Sequence, residues 1–321
     1  MKSATLNPPL LLATIIGLFA LAVSASPRVE AGKRHFIDPS SPEGLRDLFA
    51  YSEERLPIVS AHRGGAVEGY PENCIATFER ALEASFSILE IDLRLARDDR
   101  IVLLHDATLQ RTTNGVGNVK DFTLPELKRL RLKDPTGALT PFEIPTLDEA
   151  IEWARGKTIL ILDLKDAPLE RCIRKIQQHK AQSFVMIMAY RIEDIQKCHN
   201  LDPDIMMEVF LGNLDRFKQF DQSGVPWNRI LPFISHKPIE DLELIAMIHA
   251  KGASCLAGTT RYLDKALSKV EAPSAELSAS YQLLLDQGID IIETDLPVKV
   301  GQLLHRNTSI PSAKAQYFKI R

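Results

Sequence analysis

ILEIDLRLARDDRIVLLH, residues 88–105, is the stretch on which the reading of this chain turns. Its opening alternates aliphatic residues with Glu90, Asp92 and Arg94, so in an extended strand the two carboxylates, two positions apart, project from one face. RDDR at 97–100 reads as a turn, and a short extra apolar run at 101–104 delivers His105. Upstream, PIVSAHRGG (57–65) ends another apolar strand at His62. Two imidazoles 43 residues apart thus bracket a Glu-x-Asp pair. Imidazoles move protons near neutral pH and adjacent carboxylates hold a hard cation, so the set points to metal-assisted cleavage by a hydrolase.

Outward from this stretch, short aliphatic runs alternate with amphipathic segments, the pattern of parallel strands buried beneath helices. Eight runs are expected as strands: 56–61, 88–95, 158–164, 184–188, 205–211, 229–233, 253–256 and 289–294. Eight favours a closed (β/α)8 TIM barrel over residues 56–300, a size typical of that fold. Thr123 with Glu126 and Thr146 with Glu149 read as capping boxes, and PIEDLELIAMIHAKG as an amphipathic helix with a terminal glycine. Residues 107–145, with Asn114-Gly115 and Asp134-Pro135-Thr136-Gly137, form a loop-rich insertion after the second strand with one modest helix.

At 321 residues, 45% apolar and 25% charged, the chain has the composition of a soluble globular domain with extensions. A net charge of −3 and the lack of a long basic run give no reason to expect a nucleic-acid partner, and a small-molecule ligand is the expectation. Lys2, the apolar stretch 10–23 and the small residues Ser24, Ala25 and Ser26 read as an export signal over residues 1–26, cleaved or kept as an anchor. Export to a periplasm or medium follows, with membrane contact only through that segment. Residues 27–55 are expected as an extension with one helix in SPEGLRDLFAYSEER, and 301–321 as a tail with no functional reading. Cys74, Cys172, Cys198 and Cys255 are too scattered for a disulfide framework or a zinc cluster and read as buried thiols.

Each site residue also has a structural reading. Glu90 and Asp92 alone could face outward to pair with helix cations, and His62 or His105 alone is more often a hydrogen-bonded structural histidine. Their shared position at strand ends reverses that preference. Asp163 and Lys165 in LDLK repeat the two-residue spacing, and four ionisable groups aimed into a barrel are costly unless they bind an ion or one another. Arg63 offers a planar fork suited to phosphate and Lys165 a compact charge. Glu72, in the YPEN turn, could cap the following helix or serve the site. Arg111 and Thr112 read as loop anchors or substrate contacts. Glu293 and Asp295 in IIETDLP are not first choices for chemistry.

Taken in order, AHRGG, YPENCIATFERAL, LEIDLRLARDDRIVLLHDATLQRTTNG, EIPTLDEAI, LDLK and IIETDLP resemble the glycerophosphodiester phosphodiesterase family from about residue 58 to 297. The resemblance implies a (β/α)8 barrel that cleaves glycerophosphodiesters to glycerol 3-phosphate and an alcohol. It implies His62 and His105 as general acid and base, and Glu90, Asp92 and Asp163 as ligands of one divalent ion, Mg2+ or Ca2+. Arg63 and Lys165 would contact phosphate, with Glu72 in support. Two departures stand out. Asp163 replaces the family's usual Glu, so the cation must sit closer or a water must bridge, and GASCLAGTTRY on the seventh strand lacks the usual pocket-facing aromatic. Phe210, Phe233 and His236 are candidates to line the pocket instead. Alternative readings are a lyase or phospholipase on inositol or sphingolipid phosphodiesters that yields a cyclic phosphate, and a non-catalytic barrel that binds phosphorylated ligands.

Overall fold

Strands too apolar to face water on either side must be covered on both, and here they close on themselves beneath a ring of helices. The computed structural model describes residues 1, 33–54, 56–305 and 309–321. Its eight parallel strands are β1 (Ile58–Ala61), β2 (Ser87–Leu95), β3 (Leu160–Asp163), β4 (Val185–Ala189), β5 (Met207–Phe210), β6 (Ile230–Phe233), β7 (Leu256–Gly258) and β8 (Ile291–Thr294). β1 closes the barrel, pairing Val59 with Ser87 of β2 and Ile58 with Ile291 of β8. The (β/α)8 TIM barrel expected from the sequence is the observed fold. The signal segment lies almost wholly outside the described residues. Among the described residues no helix is long and apolar enough to cross a membrane.

Seven strands match their expected runs to within two residues at each end. The seventh is displaced to Leu256–Gly258 because Ala253 and Ser254 are engaged elsewhere: Ala253 bridges Ala50, and the Ser254 amide donates to the Phe49 carbonyl. Ala-Gly is a weak strand signal, which hid the true position. Both capping boxes form, at the starts of helices Leu124–Leu127 and Leu147–Ala154. The run at 101–104 is an antiparallel strand, Ile101–Leu103, that folds back on the end of β2 with Leu103 opposite Leu93.

The insertion has a small core of its own, built on Val102, Leu104, Leu109, Leu127, Leu132 and Ile144. Its loops are therefore packed, which fixes His105 from behind. The expected limit at residue 300 falls inside a helix, Pro297–His305, whose buried Val300 and Leu304 belong to the main core. The tail is also structural: Phe318–Ile320 pairs antiparallel with His35–Ile37, and the Lys314 ammonium donates to the carbonyls of Leu48 and Ala50. All four cysteines are buried and none forms a disulfide.

Candidate active site

The turn that leaves β1 sets the first half of the site. His62–Gly64 is a single 3-10 turn in which Arg63 adopts a left-handed φ of 51°. Gly64 is required there, because a Cβ would stand 2.5 Å from the Phe78 ring. The strained turn aims the Arg63 amide at Glu90 Oε2, 3.0 Å away. Asn73, buried at a φ of 55°, donates to Asp92 Oδ2 at 2.7 Å and accepts from the Asp92 amide at 2.9 Å. Lys165 has a φ of 28°. Three non-glycine residues in this conformation around one cluster mark stored strain of the kind that collects at functional sites.

Asp92 and Asp163 are direct partners across the β2–β3 ladder. Glu90, Asp92 and Asp163 each bring a carboxylate oxygen within 4.8 Å of the other two, so Asp163 reaches the cluster despite its shorter side chain. Burial and the neighbouring Asp92 push the Glu90 carboxyl well above the usual carboxylate range. Burial acts the same way on Asp92, but Lys165 and Arg63 outweigh it and hold Asp92 low. Lys165 Nζ lies 2.5 Å from Asp163 Oδ2 and 3.0 Å from Asp92 Oδ1. Three buried carboxylates this close cannot all ionise without additional positive charge. An all-oxygen set fits Mg2+ or Ca2+ rather than a softer metal.

Each histidine is oriented through Nδ1 by a carboxylate. His62 meets Asp295 Oδ1 at 2.7 Å, and His105 meets Asp106 Oδ1 at 2.8 Å, which leaves each Nε2 for a reacting group. Arg94 clamps the His105 carbonyl from behind. Burial lowers the proton affinity of His62, but Asp295, Glu90 and Glu293 more than offset it and raise the imidazole to about 9. Both rings line one cavity of about 190 Å3 together with Arg63, Lys165, Glu90 and Asp163. Residues from β1, β2, the strand after β2 and β3 thus converge as the sequence reading required.

Glu72 does not cap the helix after YPEN. That helix is Ile75–Ala84 with Cys74 at its N-cap, and Glu72 instead accepts from Arg63 at 3.3 Å and from Arg111 at 2.8 Å. Arg111 bridges Glu72 to Asp106, so it anchors the loop behind His105. Phe210 and His236 line the cavity as expected, whereas Phe233 stacks behind Phe210 at 4.5 Å.

Two residues that shape this cavity, Asp295 and Glu293, rank only as secondary in the sequence, and two more, Tyr190 and Asp264, carry no sequence signal. Asp295, set aside there, is the partner of His62. Glu293 is fully buried in the cavity wall, and burial and Asp295 raise it to about 7 against the opposing pull of His62. Tyr190, one residue beyond β4, donates to Asp163 Oδ2 at 3.0 Å and stacks on Phe210 at 5.0 Å. Asp264, in a segment with no motif, accepts from Thr259, Tyr281, Thr294 and the Asp295 amide at 2.6 to 2.8 Å. It thereby fixes the backbone that presents Asp295. A cavity of about 460 Å3 adjoins this site on the β3–β4 side, sharing Asp163, Lys165 and Tyr190 and adding Leu164, Leu169 and Ile187.

Residues 62–261 match the model of the glycerophosphoryl diester phosphodiesterase family. The chain belongs to that family. Its members include a glycerophosphodiester phosphodiesterase of Caldanaerobacter subterraneus subsp. tengcongensis, 37% identical over 151 residues, an alignment that covers 44% of this chain and 62% of that protein. YhdW of Bacillus subtilis is 31% identical over 74% of this chain and 94% of its own length. The crystal structure of a glycerophosphoryl diester phosphodiesterase from Parabacteroides distasonis superposes with a TM-score of 0.84 at 38% identity, covering 90% of this chain and all of that one. The phosphodiesterase class expected from the motifs is the class of the family and of these relatives.

Proposed function

We propose that the chain hydrolyses glycerophosphodiesters to glycerol 3-phosphate and an alcohol, with one divalent cation at Glu90, Asp92 and Asp163. The observation that carries this reading is the convergence of two carboxylate-oriented imidazoles and a buried acidic trio on one cavity. Such a cation would supply charge to the phosphoryl oxygens as bonds to phosphorus change. Arg63 and Lys165 add positive charge on the same side, and Glu72 holds the Arg63 fork in place. His62, kept protonated at neutral pH by Asp295, serves as the general acid that gives its Nε2 proton to the leaving alkoxide. His105, held by Asp106, serves as the base that takes a proton from the attacking water, whose oxygen bonds to phosphorus as the alcohol departs. The acidic surroundings of His62 favour this assignment over the reverse.

The chain is proposed to be exported, and its substrate is a small-molecule phosphodiester. Phosphorus NMR of glycerophosphoethanolamine incubated with the chain and Mg2+ or Ca2+ tests the reaction. Glycerol 3-phosphate as the first product supports hydrolysis. A persistent cyclic phosphate replaces it with the lyase reading, and unchanged diester with every cation rejects both.

A further inference from the structure

The far side of the mouth carries a cation without a counterion. Arg63 is held by Glu72 and Asp92, Lys165 by Asp92 and Asp163, and Arg111 by Glu72 and Asp106. Arg261, in the turn after β7, lines the same cavity, is exposed, and makes no ion pair or hydrogen bond among the described residues. Asp295, the carboxylate after β8, gives its Oδ1 to His62. In an eight-stranded barrel β7 stands opposite β3, so Arg261 faces the acidic trio and Lys165 across the opening.

The wall beside Arg261 is built around a missing side chain. A Cβ on Gly258 would stand 2.4 Å from His236 Nδ1, so glycine on β7 is what admits the His236 ring to the cavity. Burial, reinforced by Arg261 and His62, lowers His236 to about 4, so at neutral pH the ring is an uncharged hydrogen-bonding group beside a lone guanidinium. Glu293 Oε1 lies 3.7 Å from His236 Nδ1 but is buried behind the ring. The Arg261 guanidinium is instead exposed at the mouth, where it repels a cationic headgroup and offers an anion a planar fork of donors.

We infer that Arg261, with His236 beside it, selects glycerophosphodiesters whose alcohol carries its own anionic group, a carboxylate or a phosphate. This rests on the hydrolytic reading above and names the substrate class within it.

The test uses two matched substrate pairs that differ in one anionic group: glycerophosphoserine against glycerophosphoethanolamine, and glycerophosphoinositol 4-phosphate against glycerophosphoinositol. The wild-type chain is expected to favour the anionic member of at least one pair in kcat/KM by roughly 10- to 100-fold, the size of one charge-assisted hydrogen bond, and the pair that responds identifies the group. Arg261→Gln should bring that ratio near one and Arg261→Lys should restore part of it. Ratios below about 3 for both pairs, or ratios that Arg261→Gln leaves unchanged, overturn the inference. If no diester turns over with either cation, the hydrolytic reading fails separately. Calorimetric binding of phosphoserine against phosphoethanolamine to wild type and Arg261→Gln then decides the inference, equal affinities refuting it.

Discussion

The two halves of the barrel mouth are built by different means. On the β1–β3 side, residues 58–165, the proposed reacting groups sit in dense local motifs and are held by neighbours drawn mostly from the same stretch: Asn73 and Arg63 on Asp92, Asp106 on His105, Glu72 on Arg63. On the β4–β8 side the corresponding supports come from far along the chain. Asp295 reaches His62 across 233 positions, and Asp264 reaches the Asp295 amide from the short helix Leu263–Leu267. The first half is specified by short-range chemistry that does not depend on which alcohol is attached. The second is specified by tertiary packing, and it carries Arg261 and His236, where we place substrate choice.

The largest expected effect lies in the first half. His62→Ala and His105→Ala should each lower kcat by roughly 10²–10⁴-fold with the circular dichroism spectrum unchanged, since general acid–base help is of that size. Wild-type rates in both would remove them from the mechanism. Asp264→Ala should act in the opposite manner, through the fold. It strands the buried hydroxyls of Tyr281 and Thr294 and the half-buried Asp295 amide, while Thr259 keeps the Glu293 carbonyl as acceptor. Denaturant unfolding should therefore show a loss of about 3 kcal/mol, whereas a loss below about 1 kcal/mol would mean the network carries little.

The next test separates the long-range support from the motif it serves. Because Asp295 helps raise His62 to about 9, the pair stabilises the fold fully below the ordinary value of 6.5, and that contribution is lost as pH rises through 9. The Tm gap between wild type and Asp295→Asn should therefore be widest below pH 6.5 and close by about pH 9. A gap that stays constant from pH 6 to 10 would show that the pairing is not electrostatic. The smallest effect belongs to a purely local device: Thr146→Ala removes one side of a capping box and should cost about 1 kcal/mol with kcat unchanged. A change in kcat there would tie the insertion to catalysis more closely than its packing suggests.

Legibility follows the same division. The strand periodicity, the capping boxes and the spacing of Glu90, Asp92, His62 and His105 are properties of neighbouring letters, so the barrel and the gathering of these four residues at one end of it are legible directly. β7 was misplaced because Ala257 and Gly258 carry almost no strand signal, and their position is set by the partners Ile292 and Glu293 on β8. Asp264 and Tyr190 were invisible because nothing local distinguishes them from surface residues; only the closed barrel brings them to Asp295 and Asp163. Asp295 was seen but undervalued, since a carboxylate after a strand reads as a loop brace until the histidine it faces is known. The tail escaped for a similar reason, its strand being defined by His35–Ile37 nearly 300 residues away.

The proposed action of one cation on a phosphodiester is tested most directly by chelator titration of glycerol 3-phosphate release from a glycerophosphodiester. Turnover should vanish with EDTA, return with excess Mg2+ or Ca2+, and require a markedly higher cation concentration in Asp92→Asn. Turnover indifferent to EDTA, or an Asp92→Asn variant with wild-type cation dependence, would contradict it.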